Sequence, residues 1–281
     1  MRILWLIIFL IILFAVLSGS AFAYFRPQAV LDRALENAAE THYGKYTAVL
    51  GLDNTSATEQ LLGEPATLEF IADGTFDRSP GKRSSVSTQL AVTAKTDTLS
   101  LRMIGEARLI GDEAYINLVQ VPSALTALAP FKGRWISLNR GGTQDTPNIT
   151  QNEQEIFTSV NYAGRETLNN ESVVKYTADA TPESAVRMFD QVASILGTNL
   201  TSEQTVSLRQ NLATMEDVSV QLWVNPLKSQ LRRISAHATA PNGNAISFEV
   251  GLIPLQTAPS IATPENAVTW EQIVSTLPAQ R

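Results

Sequence analysis

The apolar positions of the chain recur first at a helical period and then at a strand period. Between residues 27 and 43, they recur three or four positions apart, at Val30, Ala34, Leu35 and Ala38. This spacing predicts an amphipathic helix, which Pro27 suits as a first-turn residue and which Gly44 is expected to end. From Lys45 onward, apolar and polar residues alternate instead, which is typical of half-buried strands.

The alternation predicts a succession of strands separated by short Gly, Pro and Asn turns. The predicted strands cover residues 46–52, 64–76, 84–95, 98–110, 113–120, 134–138, 218–225, 230–240 and 244–252, and a hairpin over 164–180 turns at Asn169–Asn170. Short connections between successive strands favour an antiparallel meander with one apolar and one solvated face.

Helical patterns interrupt the strands in the second half of the chain. They cover residues 153–160, 182–196 and 201–215, and a short terminal helix is predicted at 266–277. This order of elements predicts an α+β fold in which a curved antiparallel sheet holds helices against one face.

The first residues form a strongly apolar segment, with Arg2 before it and Ala21–Phe22–Ala23 after an uninterrupted apolar run from Ile3 to Leu17. A positive start, an apolar run and a small-x-small site are the parts of a secretory signal. The 3–25 segment is also long enough to cross a bilayer. Cleavage at Ala23 and retention as a membrane anchor both remain open, and either outcome predicts an extracytoplasmic protein.

This pattern divides the chain into three predicted parts: residues 1–25 as signal peptide or transmembrane anchor, 26–253 as the folded domain, and 254–281 as a Pro/Thr-rich tail.

Composition removes several classes of function. The net charge of -6 and scattered basic residues argue against a nucleic-acid partner, which needs clustered Lys and Arg. The absence of cysteine excludes disulfides, thiolate metal sites, a cysteine nucleophile and an acylated lipoprotein cysteine. The two histidines, His42 and His237, stand in no catalytic motif, and no cofactor is predicted. A non-enzymatic protein is therefore expected.

Several motifs together resemble the bacterial lipoprotein-carrier superfamily, which comprises LolA-like and LppX/LprG-like proteins. There are three motifs, each with a strand, an aromatic residue and a turn, and their order along the chain carries the resemblance. The first is 111–116 (GDEAYI) followed by 133–136 (GRWI), the second is 164–166 (GRE) leading to 173–176 (VVKY), and the third is 220–226 (VQLWVNP) with 231–234 (LRRI) on the return strand.

The resemblance implies an unclosed β half-barrel with helices on its concave side, where family members hold an acyl chain or lipid. It supplies no catalytic or ligand residue to carry over, and one fold hosts many functions. The apolar strand positions expected on the concave side are Leu68, Phe70, Leu90, Val92, Leu101, Met103, Val220 and Leu222, joined by Phe189 on the 182–196 helix. These side chains are either an ordinary core or the lining of an apolar cavity.

The leading hypothesis is a carrier or binder of a lipid or another hydrophobic ligand. The alternative is an envelope or surface protein-interaction or structural module with a fully packed core, which would contact an envelope protein through the loops at 52–64 and 139–152. A third hypothesis, a glycan-acting enzyme, requires two inward carboxylates about 5 to 10 Å apart.

Overall fold

The structure is a computed structural model. It describes residues 27–53, 65–139, 159–181 and 217–269, together with residues 157, 183, 184, 186, 187, 205, 206, 209, 215 and 272. In this part of the chain no helix is long and apolar enough to span a membrane. The apolar 1–25 segment and Phe189 lie outside the described residues.

Helix α1 (Pro27–Glu40) opens the described chain, and Pro27 occupies its first position as predicted. One face of the helix is almost completely buried. It consists of Val30, Leu31, Ala34, Leu35 and Ala38. The opposite face carries Asp32 and Glu36, which are exposed. The predicted apolar stripe is therefore the face that packs on the sheet.

The helix ends three residues earlier than predicted, and Gly44 does not end it. The Thr41 hydroxyl donates to the Asn37 carbonyl at 2.8 Å, and Arg78 Nη2 donates to the Thr41 carbonyl at 2.5 Å. Gly44 instead lies in strand β1, where a Cβ would approach the Phe76 ring at 2.9 Å. Close packing against an aromatic ring explains this glycine, and an arginine from the sheet satisfies the end of the helix.

Six strands follow as an antiparallel meander in chain order. They are β1 (Tyr43–Asp53), β2 (Thr67–Asp77), β3 (Ser85–Lys95), β4 (Ser100–Ile110), β5 (Glu113–Gln120) and β6 (Trp135–Asn139). A 3₁₀ helix (Thr126–Phe131) connects β5 to β6. The strand boundaries agree with the alternation in the sequence to within a few residues.

A second meander returns the chain to the first strand. It contains β7 (Ser159–Leu168), β8 (Glu171–Asp179), β9 (Asp217–Asn225), β10 (Gln230–Thr239) and β11 (Ala245–Pro254), and β11 pairs with β1. The short β12 (Val268–Thr269) adds in parallel to β6. The result is one 12-stranded sheet with the order β12-β6-β5-β4-β3-β2-β1-β11-β10-β9-β8-β7.

The sheet has two free edges, β12 and β7, so it does not close into a barrel. The predicted α+β fold with a curved, unclosed antiparallel half-barrel is confirmed. The hairpin turn at Asn169–Asn170 is also confirmed, because both residues have positive φ, 50° and 63°, as a type I′ turn requires.

Two predicted helices differ from the structure. Ser159 and Val160, expected at the end of a helix over 153–160, begin strand β7. Val268 and Thr269, expected within a terminal helix, pair with β6. In both places a neighbouring edge strand offers backbone partners, and pairing overrides the local helical pattern. In the 182–196 segment, Glu183, Ser184, Val186 and Arg187 are helical.

The C-terminal tail crosses the side of the sheet opposite α1. Arg108 donates to the Ala262 carbonyl at 2.7 Å, and its guanidinium lies 4.7 Å from the centre of the Trp135 ring. Pro264 is buried, and β12 follows it. The tail therefore belongs to the outer layer at β4–β6.

Candidate functional site: an apolar sheet face with a covered and an open half

The two faces of the sheet are defined by helix α1. We call the face on which α1 packs the inner face and the opposite one the outer face. Residues directly opposite each other on neighbouring strands share a face, and alternate residues along a strand do so too. The inner positions therefore follow from the register, starting from the buried Phe76, Val86 and Tyr46 in the α1 cluster.

Continuous apolar rows cross the inner face from strand to strand. One row runs through Leu50, Phe70, Val92 and Met103, which are direct partners on β1, β2, β3 and β4. The same row continues through β11, β10 and β9 as Phe248, Ala236 and Val220. A neighbouring row contains Leu52, Leu68, Ala94, Leu101 and Ile246. The apolar surface thus extends well beyond the area beneath one helix.

The half of this surface beneath α1 is solidly packed, and we call it the covered half. Eleven of its inner side chains on β8–β11 are at most 8% exposed: Val174, Tyr176, Ala178, Val220, Leu222, Val224, Leu231, Ile234, Ala236, Val250 and Leu252. They form one cluster with the apolar stripe of α1 and with Phe157. This half is an ordinary hydrophobic core.

The other half of the surface retains accessible apolar side chains. We call these eight residues the open patch. Each of them is half-buried, and they are Leu50, Leu52, Phe70, Leu90, Val92, Leu101, Met103 and Ile246. None belongs to the fully buried core. A contiguous apolar surface of this kind on a folded domain is typical of a binding site.

The predicted lining residues divide between the two halves. Phe70, Leu90, Val92, Leu101 and Met103 belong to the open patch. Val220 and Leu222 are 1% and 0% exposed in the covered half, and Leu68 is 5% exposed within the row that also contains Leu52 and Leu101. For Val220 and Leu222 the ordinary-core interpretation applies. Phe189 lies outside the described residues.

Three members of the open patch were not predicted: Leu50, Leu52 and Ile246. They come together because β1 pairs with β11, a contact between strands almost 200 residues apart in the chain. Alternation assigns Leu50 and Leu52 to one face of β1 but cannot identify a partner that is distant in sequence. The pairing of β1 with β11 is the information that the local sequence pattern lacks.

Polar groups on the inner face are few. Burial raises the pKa of the Tyr46 hydroxyl, and a hydrogen bond with the Thr88 hydroxyl offsets part of this increase. Burial also raises the pKa of Tyr176, whose ring meets the Tyr162 ring edge-on at 6.5 Å. Both tyrosines therefore stay neutral at ordinary pH, so the inner face gains no charge from them.

The inner positions of β1–β4 and β8–β11 contain no Asp or Glu. The carboxylate pair that a glycan-acting enzyme requires is therefore absent from these strand positions. Within the described residues, no group of three or more His, Asp and Glu side chains could hold a metal ion. What the inner face offers chemically is an apolar surface.

Comparison with solved structures finds similar strand arrangements in bacterial proteins. LprF from Mycobacterium bovis is 12% identical with a TM-score of 0.48, and the match covers 86% of this chain and 97% of LprF. Lipoprotein LppX from Mycobacterium tuberculosis is also 12% identical, with a TM-score of 0.39, over 84% of this chain and 97% of LppX.

A third similar structure is the MucA/MucB complex of Pseudomonas aeruginosa, with 10% identity and a TM-score of 0.30, over 88% of this chain and 60% of that chain. No family model and no curated protein matches this chain.

Proposed function

We propose that this protein binds a hydrophobic ligand, of the acyl-chain or lipid class, on the open patch. The observation that carries the proposal is the contrast within one sheet face. Apolar side chains of this face are buried beneath α1, whereas the eight residues of the open patch are half-buried. Apolar side chains that remain accessible next to a fully packed core can bind an apolar ligand.

The energetics suit an acyl chain. Each methylene removed from water contributes about 0.8 kcal/mol, so a chain lying along the rows of the patch needs no specific polar contact. The patch extends across five neighbouring strands, β4-β3-β2-β1-β11, at a spacing of about 4.8 Å, which gives it the elongated shape that a hydrocarbon chain requires. Binding of this kind requires no catalytic group.

We place this binding outside the cytoplasm, on the basis of the apolar 3–25 segment and the small-x-small site that ends at Ala23. Either a retained anchor or a cleaved signal brings the folded part to the same compartment. The membrane is then both a neighbour of the protein and a source of its ligand.

Phe70 and Ile71 provide a matched test. They are consecutive on β2, where Phe70 is half-buried on the inner face and Ile71 is 38% exposed on the outer face. Phe70→Glu places a charge in the open patch, whereas Ile71→Glu places the same charge outside it. We expect Phe70→Glu to abolish binding of a fluorescent fatty acid and co-purification of lipid in native mass spectrometry. Ile71→Glu should retain both.

Circular dichroism and the unfolding midpoint of each variant separate lost binding from lost fold. Wild-type protein that carries no lipid and binds no fatty acid would contradict the proposal. Equal binding by the two folded variants would contradict it as well.

The alternative function, a protein-interaction or structural module, is favoured by a different observation. Strand β7 is an edge of the sheet, and Tyr162 on it is 59% exposed. An edge strand offers backbone donors and acceptors to an extended segment of an envelope protein. A wild-type protein without ligand, together with loss of an envelope complex on Tyr162→Glu, would favour this function. The loops first proposed for it, at 52–64 and 139–152, lie almost entirely outside the described residues.

A further inference from the structure

A groove on the outer face lies beneath the tip of the β7–β8 hairpin. Its volume is about 260 Å³, and its lining includes Lys45, Asp73, Leu168, Arg232, Arg233 and Gly251. The groove is separate from the open patch, because Asp73, Gly251 and Arg233 occupy outer positions of their strands. Nothing in the proposed lipid-binding function uses it.

The floor of the groove exists because one strand position has no side chain. Gly251 lies between Thr47 on β1 and Arg233 on β10, its direct partners in the sheet. A Cβ at Gly251 would stand 2.7 Å from Thr47 Oγ1, so a larger residue would displace Thr47 and fill the floor. The missing side chain leaves a depression between the two neighbouring strands.

Ion pairs hold the turn of the β7–β8 hairpin above the floor of the groove. At the hairpin turn, Glu171 accepts from Arg232 Nε at 2.7 Å and from Lys228 Nζ at 2.9 Å. Lys228 and then Arg232 hold the pKa of Glu171 below its usual range. The Arg232 side chain is 11% exposed, so this contact is largely shielded from water. Leu168 and Asn169 are therefore held over the outer face.

The charges along the groove are unevenly partnered. Arg232 is neutralised by Glu171, but Lys45 is exposed and forms no ion pair with a carboxylate in the described ranges. The Arg233 guanidinium lies 5.3 Å from the centre of the Trp223 ring, and its Nε is 3.4 Å from Glu249. Its Nη atoms make no hydrogen bond to residues that the structure describes. Two cationic groups thus keep donors available.

Asp73 is the lining carboxylate, and it stands at the opposite side of the groove from Arg233. Strands β1 and β11 separate them, which places their backbones roughly 14 Å apart at the usual strand spacing. An anion beside Arg233 is therefore well separated from the backbone that carries this like charge, whereas Lys45 lies on β1, the strand next to Asp73. Leu168 and Ile253 add apolar surface to the lining of the groove.

From this geometry we infer that the groove binds the phosphate or carboxylate group of a small organic anion. Arg233 is preorganised by Trp223 and Glu249 and supplies a planar pair of donors, which suits an oxyanion. Lys45 supplies a second, mobile charge. The apolar side chains contact the organic part of the ligand.

Isothermal titration calorimetry at low salt tests the inference on the full-length protein. The probes are inorganic phosphate, hexanoate and dihexanoyl phosphatidylglycerol, which distinguish a free anion from a carboxylate and from a lipid headgroup. We expect at least one probe to bind, and we expect Lys45→Glu to weaken that binding at least tenfold. Leu168→Trp, which fills the groove without changing its charge, should also weaken it.

Lys95→Glu is the matched control, because Lys95 is exposed at the far end of β3 and makes the same change in net charge. Phe70→Glu should leave anion binding unchanged, which keeps this site distinguishable from the lipid site. Binding of none of the three probes would overturn the inference. So would an equal loss of affinity in Lys45→Glu and Lys95→Glu, because that result would indicate general charge attraction.

Discussion

Leu222 and Leu90 illustrate how differently the two halves of one sheet face are used. Both are leucines at inner positions of central strands, in rows that are continuous across the sheet. Leu222 lies beneath α1 with no exposed surface, whereas Leu90 remains half-buried. The strand pattern is the same in both places, and only the packing above the sheet differs. Stability is therefore expected to depend on the covered half and ligand binding on the open half.

The largest expected effect is on stability. Leu222→Ala leaves a cavity in a packed core and should lower the free energy of unfolding by about 2–5 kcal/mol. Leu90→Ala removes atoms already in contact with water and should cost about 1 kcal/mol or less. Urea denaturation of both variants measures the difference. Equal losses would show that the open patch is in fact core.

Ligand affinity should show the reverse order. Leu90→Ala removes methylene contacts from the ligand and should weaken fatty-acid binding roughly tenfold, a loss of about 1.4 kcal/mol. Leu222→Ala, measured where it is still folded, should change affinity far less. Fluorescence titration of the two variants measures the affinities. A greater loss of affinity in Leu222→Ala than in Leu90→Ala would contradict the assignment of binding to the open half.

Acid should weaken the ion pairs that Glu171 forms with Lys228 and Arg232 at the β7–β8 hairpin. The pKa of Glu171 is lowered from its usual 4.5 by Lys228 and Arg232, so its contribution is complete above that value and is lost as the pH falls through the lowered one. Wild type should exceed Glu171→Gln in free energy of unfolding at about pH 6, and the gap should close towards about pH 3. Urea denaturation of both proteins at the two pH values measures this difference in free energy of unfolding. A gap that is independent of pH would contradict the role of the carboxylate.

The smallest effect concerns the turn of the same hairpin. Asn170 has a φ of 63°, a conformation that glycine adopts at less cost, so Asn170→Gly should stabilise the protein by roughly 0.5 kcal/mol. A small rise in the thermal unfolding midpoint is the expected readout. A fall would indicate that the Asn170 side chain makes a contribution of its own.

Much of the fold follows from local pattern. Alternation predicts β5 at Glu113–Gln120 with its observed bounds, and Asn169–Asn170 predicts the β7–β8 turn, because each depends on residues that are neighbours in sequence. The end of α1 was predicted at Tyr43 because Gly44 resembles a helix stop. The actual stop depends on Arg78, a residue more than thirty positions away.

The candidate site was predicted less completely, for the same reason. Phe70, Val92 and Met103 follow from the alternation of their own strands. Whether Val220 or Leu90 is covered depends on where α1 lies, and the strand pattern is identical in the two cases. Leu50 and Ile246 required the β1–β11 pairing. Coverage and long-range pairing are tertiary properties that a local period does not encode.

Photo-crosslinking with a diazirine-bearing fatty acid tests the central claim most directly. The full-length protein is irradiated with the probe bound, digested, and mapped by mass spectrometry. Labels should fall on the peptides of β2, β3 and β4, around Phe70, Val92 and Met103, and unlabelled palmitate should compete for them. Absence of competed labelling on these three strands, or labelling confined to other parts of the chain, would contradict an open apolar patch that binds a hydrophobic ligand.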